Sequence, residues 1–339
     1  MNETLNMRGS RDASLDATLD GEFLVALHRD LLKIRVAEEM LAQRYREQEM
    51  RTPAHFGVGQ EAVAVGVCQA LRVDDVVFSH HRGHNHYLAR GGDFYQLAAE
   101  LYGRADGCAG GRGGSVHLTA IDKGFIATSA ILGETVAAAV GAALSFHMDK
   151  SDRIAVTFFG EGTLDEGVFY EALNFASIKK LPVLFVCENN LYATESPMSV
   201  RQAAGTDLCD RARSFKVAAE RVDGNDVLDV LRAAQKAIGL LRAGQGPYFL
   251  ECMTYRWLEH VGPSFDHELN RNYRAREELN AWMERCPVKR SGERLVQRGL
   301  ATGEMLEAWR AATQTDVGAA LDRARNAPWP DVSTLFERI

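Results

Sequence analysis

Residues 158–193, FFGEGTLDEGVFYEALNFASIKKLPVLFVCENNLYA, decide the fold. Two apolar runs, Ile154–Phe159 and Leu181–Cys187, flank a stretch with helical spacing at Gly167–Ile178. A third apolar run, Tyr248–Thr254, has the same buried-strand character. Alternation of such strands with helices is typical of a parallel sheet that helices cover on both faces. The sequence therefore predicts an α/β fold of this kind.

A glycine–acid–glycine step follows the first of these strands. Gly160, Glu161 and Gly162 lie between the strand and the next helix, where open α/β sheets bind their ligands. Two glycines let the backbone approach a ligand, and the following helix offers free N–H groups and its positive dipole end, which suits a phosphate. A bare carboxylate is poorly placed beside a phosphate. Glu161 is therefore better explained as the ligand of a hard cation that bridges the two.

Two asparagines repeat this logic at the end of the next strand. Asn189 and Asn190 follow the strand that one βαβ crossover places beside the first. An amide oxygen and a nearby backbone carbonyl are suitable ligands for magnesium or calcium. From the residues alone an alternative stays open, in which Glu161 begins a helix favourably and Asn190 occupies a turn.

The composition limits the class of protein. The chain has 339 residues, of which 46% are hydrophobic and 25% charged, so it is long enough to bury a large core. A net charge of −7 argues against nucleic acid as the main partner. No run of about 18 apolar residues is free of charge, and we predict no membrane span. The sequence contains no P-loop, G-x-G-x-x-G or G-x-S-x-G motif.

Organisation along the chain is simple. Residues 1–20 are polar, and we expect a flexible extension without a secretory signal. Residues 21–339 show no boundary and are expected to form one α/β domain with a helical C-terminal segment. The six cysteines form no C-x-x-C pair, and Cys68, Cys187 and Cys252 lie in apolar runs as small buried hydrophobes. This usage favours a reducing compartment, most simply the cytoplasm.

Four of the ten histidines fall in Ser79–His86, SHHRGHNH. The H-x-x-H and H-x-H spacings make a zinc cluster a competing interpretation. Arg82 among the histidines would repel a cation, and no Cys or carboxylate completes the set, so the segment suits an anion better. His80 and His86 are expected to be plain surface histidines.

Two further segments carry candidate polar groups. His55 lies just ahead of a helix in TPAHFGVGQEAVAVG, where a structural role and a functional role both remain open. Arg256 and His260 lie just past a strand end in YRWLEHVGP. Arg256 suits a diphosphate, and His260 could transfer protons or stabilise a carboxylate or an oxyanion. The alternative is a surface loop with ordinary charges.

Together these segments resemble one family. G-[DE]-G followed one crossover later by N-N is similar to the thiamine-diphosphate motif, and E-x-x-N-x-A-x-x-x-x-L-P and E-N-N-x-Y-A look like the alpha subunit of the first, decarboxylating component of 2-oxo acid dehydrogenase complexes. Pyruvate, branched-chain and acetoin dehydrogenases share this family. The likeness runs from about Leu31 to Pro287. It implies the thiamine-diphosphate-binding fold and Mg2+ held by Glu161, Asn190 and the backbone carbonyl of Tyr192.

The resemblance also implies the other site residues. Those implied to bind the cofactor, besides Glu161 and Asn190, are His81, Arg82 and Arg256 at the diphosphate, Ala130 and Leu132 at the aminopyrimidine, Gly160, Gly162 and Thr163 in the motif, and His260. Those implied to act in catalysis, beside the substrate, are His55, His84 and His260. The segment YRWLEHVGP differs from the corresponding segment of most family members, because Glu259 replaces a glycine and Val261 replaces a residue with a hydroxyl group.

The activity implied is that of an oxidoreductase. It would form a hydroxyalkyl-thiamine intermediate from a small, pyruvate-like 2-oxo acid or from acetoin and pass the acyl group to lipoamide. The implied partners are a separate beta subunit, in a heterotetramer of two alpha and two beta chains, and a lipoyl-bearing acyltransferase component, without nucleic acid or membrane. Two alternatives stay open: a carboligase that delivers the acyl anion to an aldehyde or sugar, and a non-catalytic assembly protein that retains the fold.

Overall fold

A six-stranded sheet forms the centre of the protein, whose computed structural model describes residues 19–50 and 52–336. Its order is β2-β1-β3-β4-β8-β7, and every pairing is parallel. The strands are β1 Val76–His80, β2 Phe125–Ser129, β3 Ala155–Gly160, β4 Val183–Asn189, β7 Ala218–Asp223 and β8 Tyr248–Met253, and a separate antiparallel pair consists of β5 Tyr192–Ala193 and β6 Ser196–Pro197. The predicted α/β class is confirmed.

Helices connect and cover these strands. They are α1 Gly21–Tyr45, α2 Glu61–Cys68, α3 His84–Ala89, α4 Phe94–Leu101, α5 Leu132–Met148, α6 Gly167–Lys179, α7 Met198–Arg201, α8 Leu208–Ser214, α9 Val227–Arg242, α10 Arg276–Met283, α11 Pro287–Gln297 and α12 Gly303–Arg325, with 3-10 turns that include Glu161–Asp165. Within the described part of the chain, none is long and apolar enough to cross a membrane. Most of the predicted N-terminal extension, residues 1–18, lies outside the described residues.

The sheet has two apolar faces because its strands are apolar at consecutive positions. Val156 and Phe158 of β3 pack into one core with α1, α2, α4 and α9. Ala155 and Phe159 of the same strand point the other way, into a second core with α5, α6 and α8. Since side chains alternate along a strand, only a continuous apolar run can fill both cores. The runs predicted at 154–159, 181–187 and 248–254 are the central strands β3, β4 and β8.

A glycine-rich loop closes on a buried carboxylate. Glu100 of α4 is fully buried, and its two oxygens accept hydrogen bonds from the backbone N–H groups of Ala109, Gly111, Gly113 and Gly114 at 2.7–3.0 Å. Gly111 and Gly114 have positive φ values of 75° and 59°, which residues with a side chain rarely adopt. The glycines therefore let the backbone wrap around one acid, and the loop delivers the following residue, Ser115, into the interior.

The parallel arrangement gathers the polar strand ends at one edge. Gly160 at the end of β3 pairs with Glu188 of β4, and Asn189 pairs with Met253 of β8. On the other side of β3, β1 ends at His80. The segments that carried candidate residues in the sequence therefore converge at the carboxyl ends of the strands, where sheets of this class bind ligands.

Candidate active site

A cavity of about 270 Å³ lies at the carboxyl edge of the sheet. Its wall consists of His55, His80, His81, Arg82, Ala130, Leu132, Gly160, Glu161, Gly162, Glu188, Asn190, Tyr192, Ala193, Thr194 and His260. Residues from six separate segments thus meet in one space. Three of the predicted site residues, Thr163, His84 and Arg256, are not part of the wall.

Oxygen atoms that suit a hard cation occupy one side of the cavity. The carboxylate of Glu161 is only 1% exposed, and desolvation raises its pKa, an effect that the nearby Arg201 guanidinium opposes. Arg201 hydrogen-bonds directly to this carboxylate, so the chain places a cation of its own there. The amide oxygen of Asn190 accepts the Tyr192 N–H at 3.2 Å, which brings both residues to the same turn. A carboxylate, an amide and a backbone carbonyl are the donor set that Mg2+ prefers, and these residues fit it.

The neighbouring asparagine holds this turn in place. Asn189 donates from Nδ2 to Glu251 of β8 at 2.8 Å, and its Oδ1 accepts the Leu191 N–H at 3.1 Å. Asn189 therefore links the end of β4 to β8 by hydrogen bonds, whereas Asn190 faces the cavity. The two asparagines of the N-N step have different tasks.

Three imidazoles meet on the opposite side. The ring centroids of His55, His81 and His260 lie 4.5–5.4 Å apart, although the residues come from three different segments. Desolvation, followed by the charge of Arg82, lowers the pKa of His55 to about 2 and that of His260 to about 3. The pKa of His81 is also far below its ordinary value, again mainly because of desolvation. All three rings are consequently neutral at neutral pH.

Buried ring nitrogens without a protein partner make this side of the cavity suitable for a polar ligand. Both ring nitrogens of His81 and Nδ1 of His55 are buried without a hydrogen-bond partner among the described residues. Buried polar atoms are nearly always paired in native proteins, so these atoms await a group that enters the cavity. The arginine charge that depresses the histidine pKa values makes the same region favourable for an anion and unfavourable for a second metal ion. This charge favours the anion interpretation, but the expectation that no carboxylate completes the histidine set is wrong, because Glu188 lies with His80 and His86 close enough for the three to share a metal ion.

The two predicted arginines differ in their exposure to the cavity. Arg82 lies in the wall, and its guanidinium donates to the carbonyl oxygens of Phe56 at 2.8 Å and His260 at 3.2 Å. Arg256 instead donates to the carbonyl oxygens of Leu258 at 2.6 Å and Thr194 at 2.9 Å. These bonds hold Arg256 behind the cavity wall, and its role at a diphosphate stays a prediction.

Three histidines of the SHHRGHNH segment are deeply buried, and the prediction that His80 and His86 are surface residues is wrong. His80 donates from Nε2 to Glu188 at 2.9 Å, and its Nδ1 accepts the Arg82 N–H at 3.2 Å. His86 stacks on Phe158 with ring centroids 3.9 Å apart. His84, expected to face the reacting carbon, is 0% exposed and lies behind the wall.

Several residues that shape the site were missed in the sequence. Glu188 directly precedes the two asparagines, at the carboxyl end of β4. Its position at a strand end could have identified it as a site residue from the sequence. Arg201 is the last residue of the short helix α7 and reaches Glu161 only through the tertiary fold. Glu38 lies inside a long amphipathic helix, where nothing in the sequence distinguishes it from surface acids.

Comparison with known proteins finds a family match over most of the chain. The sequence model of the family described as "Dehydrogenase E1 component" matches residues 29–333. A pyruvate dehydrogenase E1 component subunit alpha from Porphyra purpurea is 34% identical over 319 residues, which cover 92% of this chain and 91% of the relative. The alpha subunit of an acetoin:2,6-dichlorophenolindophenol oxidoreductase from Bacillus subtilis (strain 168) is 38% identical over 243 residues, 72% and 73% of the two chains. A protein with the same name from Cupriavidus necator is 33% identical and covers 98% of both.

Proposed function

The chain belongs to the dehydrogenase E1 component family, and we propose that it is the alpha subunit of a thiamine-diphosphate- and magnesium-dependent dehydrogenase acting on a small 2-oxo acid or on acetoin. One observation carries this proposal. A buried acid and an amide that suit Mg2+ face three neutral imidazoles and Arg82 across a single cavity. The names of the relatives, pyruvate dehydrogenase and acetoin oxidoreductase alpha subunits, support the same activity.

Different residues of the chain would bind the magnesium ion and the diphosphate. Glu161, Asn190 and the Tyr192 carbonyl would hold the magnesium ion, with Arg201 as a competing partner of one Glu161 oxygen. The neutral His81 ring, neither of whose nitrogens has a partner among the described residues, can donate its one N–H to the diphosphate, and the positive charge of Arg82 stabilises it. When bound, thiamine diphosphate supplies the carbanion chemistry that no protein side chain provides.

The histidines at the cavity would act on the substrate. Because the His55 and His260 rings are neutral at neutral pH, each can donate one hydrogen bond and accept another. A neutral donor can stabilise an oxyanion or a carboxylate and can hold or release a proton at a ring nitrogen. Closely packed rings also exclude water from the reacting atoms. We assign His55 and His260 as the catalytic residues of this chain.

A second chain is part of the proposal. We propose that a separate beta subunit completes the site in an assembly of two alpha and two beta chains, with a lipoyl-bearing component as acyl acceptor. Exposed apolar residues support a partner on the face formed by α5 and α6. Met148 at the end of α5 is 71% exposed, Ile178 and Phe175 of α6 are 68% and 40% exposed, and the two helices pack against each other. Apolar surface of this kind marks interaction sites.

The carboligase alternative gains no support from the loop that suggested it. Glu259 is buried and accepts the Ser264 N–H at 3.1 Å, so it braces the loop and does not line the cavity. Its carboxylate also lies 2.5 Å from where a side chain at Gly262 would begin. The unusual residues thus shape the loop that carries His260. Formation of a C–C bond without lipoamide, assayed with an aldehyde acceptor, would revive the alternative.

The experiment that tests the proposed function is a thermal shift of the chain together with its beta partner. A ligand that binds only the native state raises the melting temperature. Thiamine diphosphate with Mg2+ should do so, and Glu161→Ala and Asn190→Ala should each abolish the magnesium-dependent part. Asp210→Ala is the control, because Asp210 forms an exposed ion pair with Arg213 and is not part of the cavity wall. An unchanged magnesium-dependent shift in both alanine variants would refute the metal assignment.

A further inference from the structure

A buried hydrogen-bonded chain lies behind the wall that carries His55. Glu38 of α1, His84 of α3 and Ser115 are each 0% exposed. The His84 ring bonds Glu38 through Nδ1 at 2.7 Å and Ser115 Oγ through Nε2 at 2.8 Å. None of the three lines the cavity, so none can touch a ligand there. The proposed reaction has no direct use for this network, and its role must be indirect.

The network ends at the backbone around His55. The second oxygen of Glu38 accepts the Gly57 N–H at 2.5 Å, two residues beyond His55. Ser115 Oγ accepts the N–H of His55 itself at 3.5 Å. The carbonyl oxygen of Gly57 is held from the other side by the Asn85 side chain at 2.9 Å. The segment from His55 to Gly57 is therefore fixed at both ends, although it has no helical or strand structure of its own.

The donor and acceptor in each hydrogen bond of the network can be assigned, starting from Glu38. An ionised carboxylate only accepts, so Glu38 requires the proton on Nδ1 of His84. In the neutral ring, Nε2 of His84 then has no proton and accepts from the Ser115 hydroxyl. With its hydrogen committed to His84, Ser115 Oγ is left with lone pairs for the N–H of His55. The charge on Glu38 thus decides the orientation of every hydrogen bond as far as His55.

We propose that Glu38 is a positioning residue which, through His84, Ser115 and the Gly57 amide, sets His55 in its productive place at the cavity. This inference rests on the proposed function, because it concerns the geometry of a residue assigned to that reaction. His84 accordingly acts through Ser115 and not on the substrate. Misplacement of a reacting group by about 1 Å can cost about 100-fold in rate.

The test uses Glu38→Gln in the alpha–beta complex. A glutamine can still accept the Gly57 N–H through its oxygen, but its NH2 group then faces His84 and drives the ring proton from Nδ1 to Nε2. Long-range 1H–15N spectra of histidine-labelled, cofactor-free protein report this tautomer directly. We expect the His84 tautomer to switch and kcat to fall about tenfold or more. The affinity for thiamine diphosphate should change by less than about threefold, because the diphosphate side is untouched.

Asp75→Asn is the matched control. Asp75 is also a 0% exposed carboxylate that accepts backbone N–H groups, from Arg72 at 2.8 Å and Ile154 at 3.0 Å, but it lies at the amino end of β1. The Asp75→Asn variant should be less stable than the wild type, but its His84 tautomer and the kcat of its folded fraction should be unchanged. If Glu38→Gln does not fold, Ser115→Ala takes its place, with kcat again lowered at an unchanged cofactor affinity.

The possible failures are distinct. Full kcat in Glu38→Gln or Ser115→Ala, or an unchanged His84 tautomer in Glu38→Gln, would overturn the positioning role. A loss of activity that only follows the folded fraction, as in Asp75→Asn, would overturn it as well. If the wild-type complex turns over no 2-oxo acid and no acetoin, the proposed function fails instead. The tautomer measurement would still report on the network in that case.

Discussion

The guanidinium of Arg201 is hydrogen-bonded to the buried carboxylate of Glu161. The same guanidinium also pairs with Asp165, so it lies between two acids. Glu161 is the acid that we assign to magnesium, and one carboxylate oxygen cannot serve both cations. Arg201 bonds one of the two oxygens of Glu161, so the chain holds a cation of its own beside the proposed metal position, and that cation competes with the metal for the carboxylate.

The first prediction concerns this competition. Arg201→Gln removes the competing charge and should raise the affinity for Mn2+ about tenfold, measured by electron paramagnetic resonance in the presence of thiamine diphosphate. The metal-free variant should also lose on the order of 2–3 kcal/mol of stability, because a buried carboxylate is left without its partner. Arg213→Gln, which breaks an exposed ion pair with Asp210, should change neither quantity. Unchanged or weaker Mn2+ binding in Arg201→Gln contradicts the competition.

The second prediction concerns pH and a histidine outside the site. Desolvation, helped by the charge of Arg29, lowers the pKa of His28 from 6.5 to about 4. The folded chain therefore binds fewer protons than the unfolded chain between these values. The stability from keeping His28 neutral is fully present above pH 6.5 and is lost as the pH falls toward 4.

Urea unfolding at pH 7.5 and pH 5 measures this effect. His28→Leu should lose less stability than the wild type between the two pH values, because a leucine cannot take up a proton. His267→Leu is the control, since His267 is exposed, and it should keep the wild-type difference. Equal pH dependence in His28→Leu and the wild type would show that His28 is not responsible.

The third prediction concerns the size of the substrate. Imidazole rings from His55, His81 and His260 form much of the cavity wall. A branched aliphatic tail gains about 0.8 kcal/mol per buried methylene only where an apolar wall receives it. Pyruvate or acetoin should therefore exceed 3-methyl-2-oxobutanoate in kcat/KM of the reconstituted complex. A preference of about tenfold or more for the branched acid, equivalent to about 1.4 kcal/mol, would mean that the pocket has been misinterpreted.

The fourth prediction separates chemistry from binding at His260. His260→Ala should lower kcat more than it weakens thiamine diphosphate binding, because the assigned role lies in the reaction. His81→Ala should do the reverse, since its ring N–H is assigned to the diphosphate. Steady-state kinetics give the loss of kcat in each variant, and a cofactor titration gives the loss of thiamine diphosphate affinity. The ratio of these two losses is then compared between the variants. The same ratio in both variants would remove the distinction between the two histidines.

The sequence predicts the central strands well and the edge of the sheet poorly. β3, β4 and β8 are continuous apolar runs because they are buried on both faces. β7, with the sequence AAERVD, was not predicted, because its half-exposed residues mix charged and apolar types at the sheet edge. β1 was also missed, since only three of its five residues, in VVFSH, are strongly apolar.

Within the site, motifs located residues but could not orient them. His81 and His84 are three positions apart, yet one faces the cavity and the other faces Glu38. The difference arises because His84 begins α3 and turns toward α1, which no local pattern encodes. Arg201 and Glu161 are 40 positions apart and meet only through the fold. Charge partners of this kind depend on tertiary structure, and one sequence contains no signal for them.

The most direct test of the account is the turnover of the chain with and without its partner. The chain and a co-purified beta chain, with thiamine diphosphate and Mg2+, should reduce dichlorophenolindophenol at the expense of pyruvate or acetoin. Neither chain alone should do so, and the pair should lose the activity when thiamine diphosphate is omitted or when Glu161 is replaced by alanine. Robust turnover by rigorously beta-free protein, or no turnover by an assembled pair that binds the cofactor, would contradict the account.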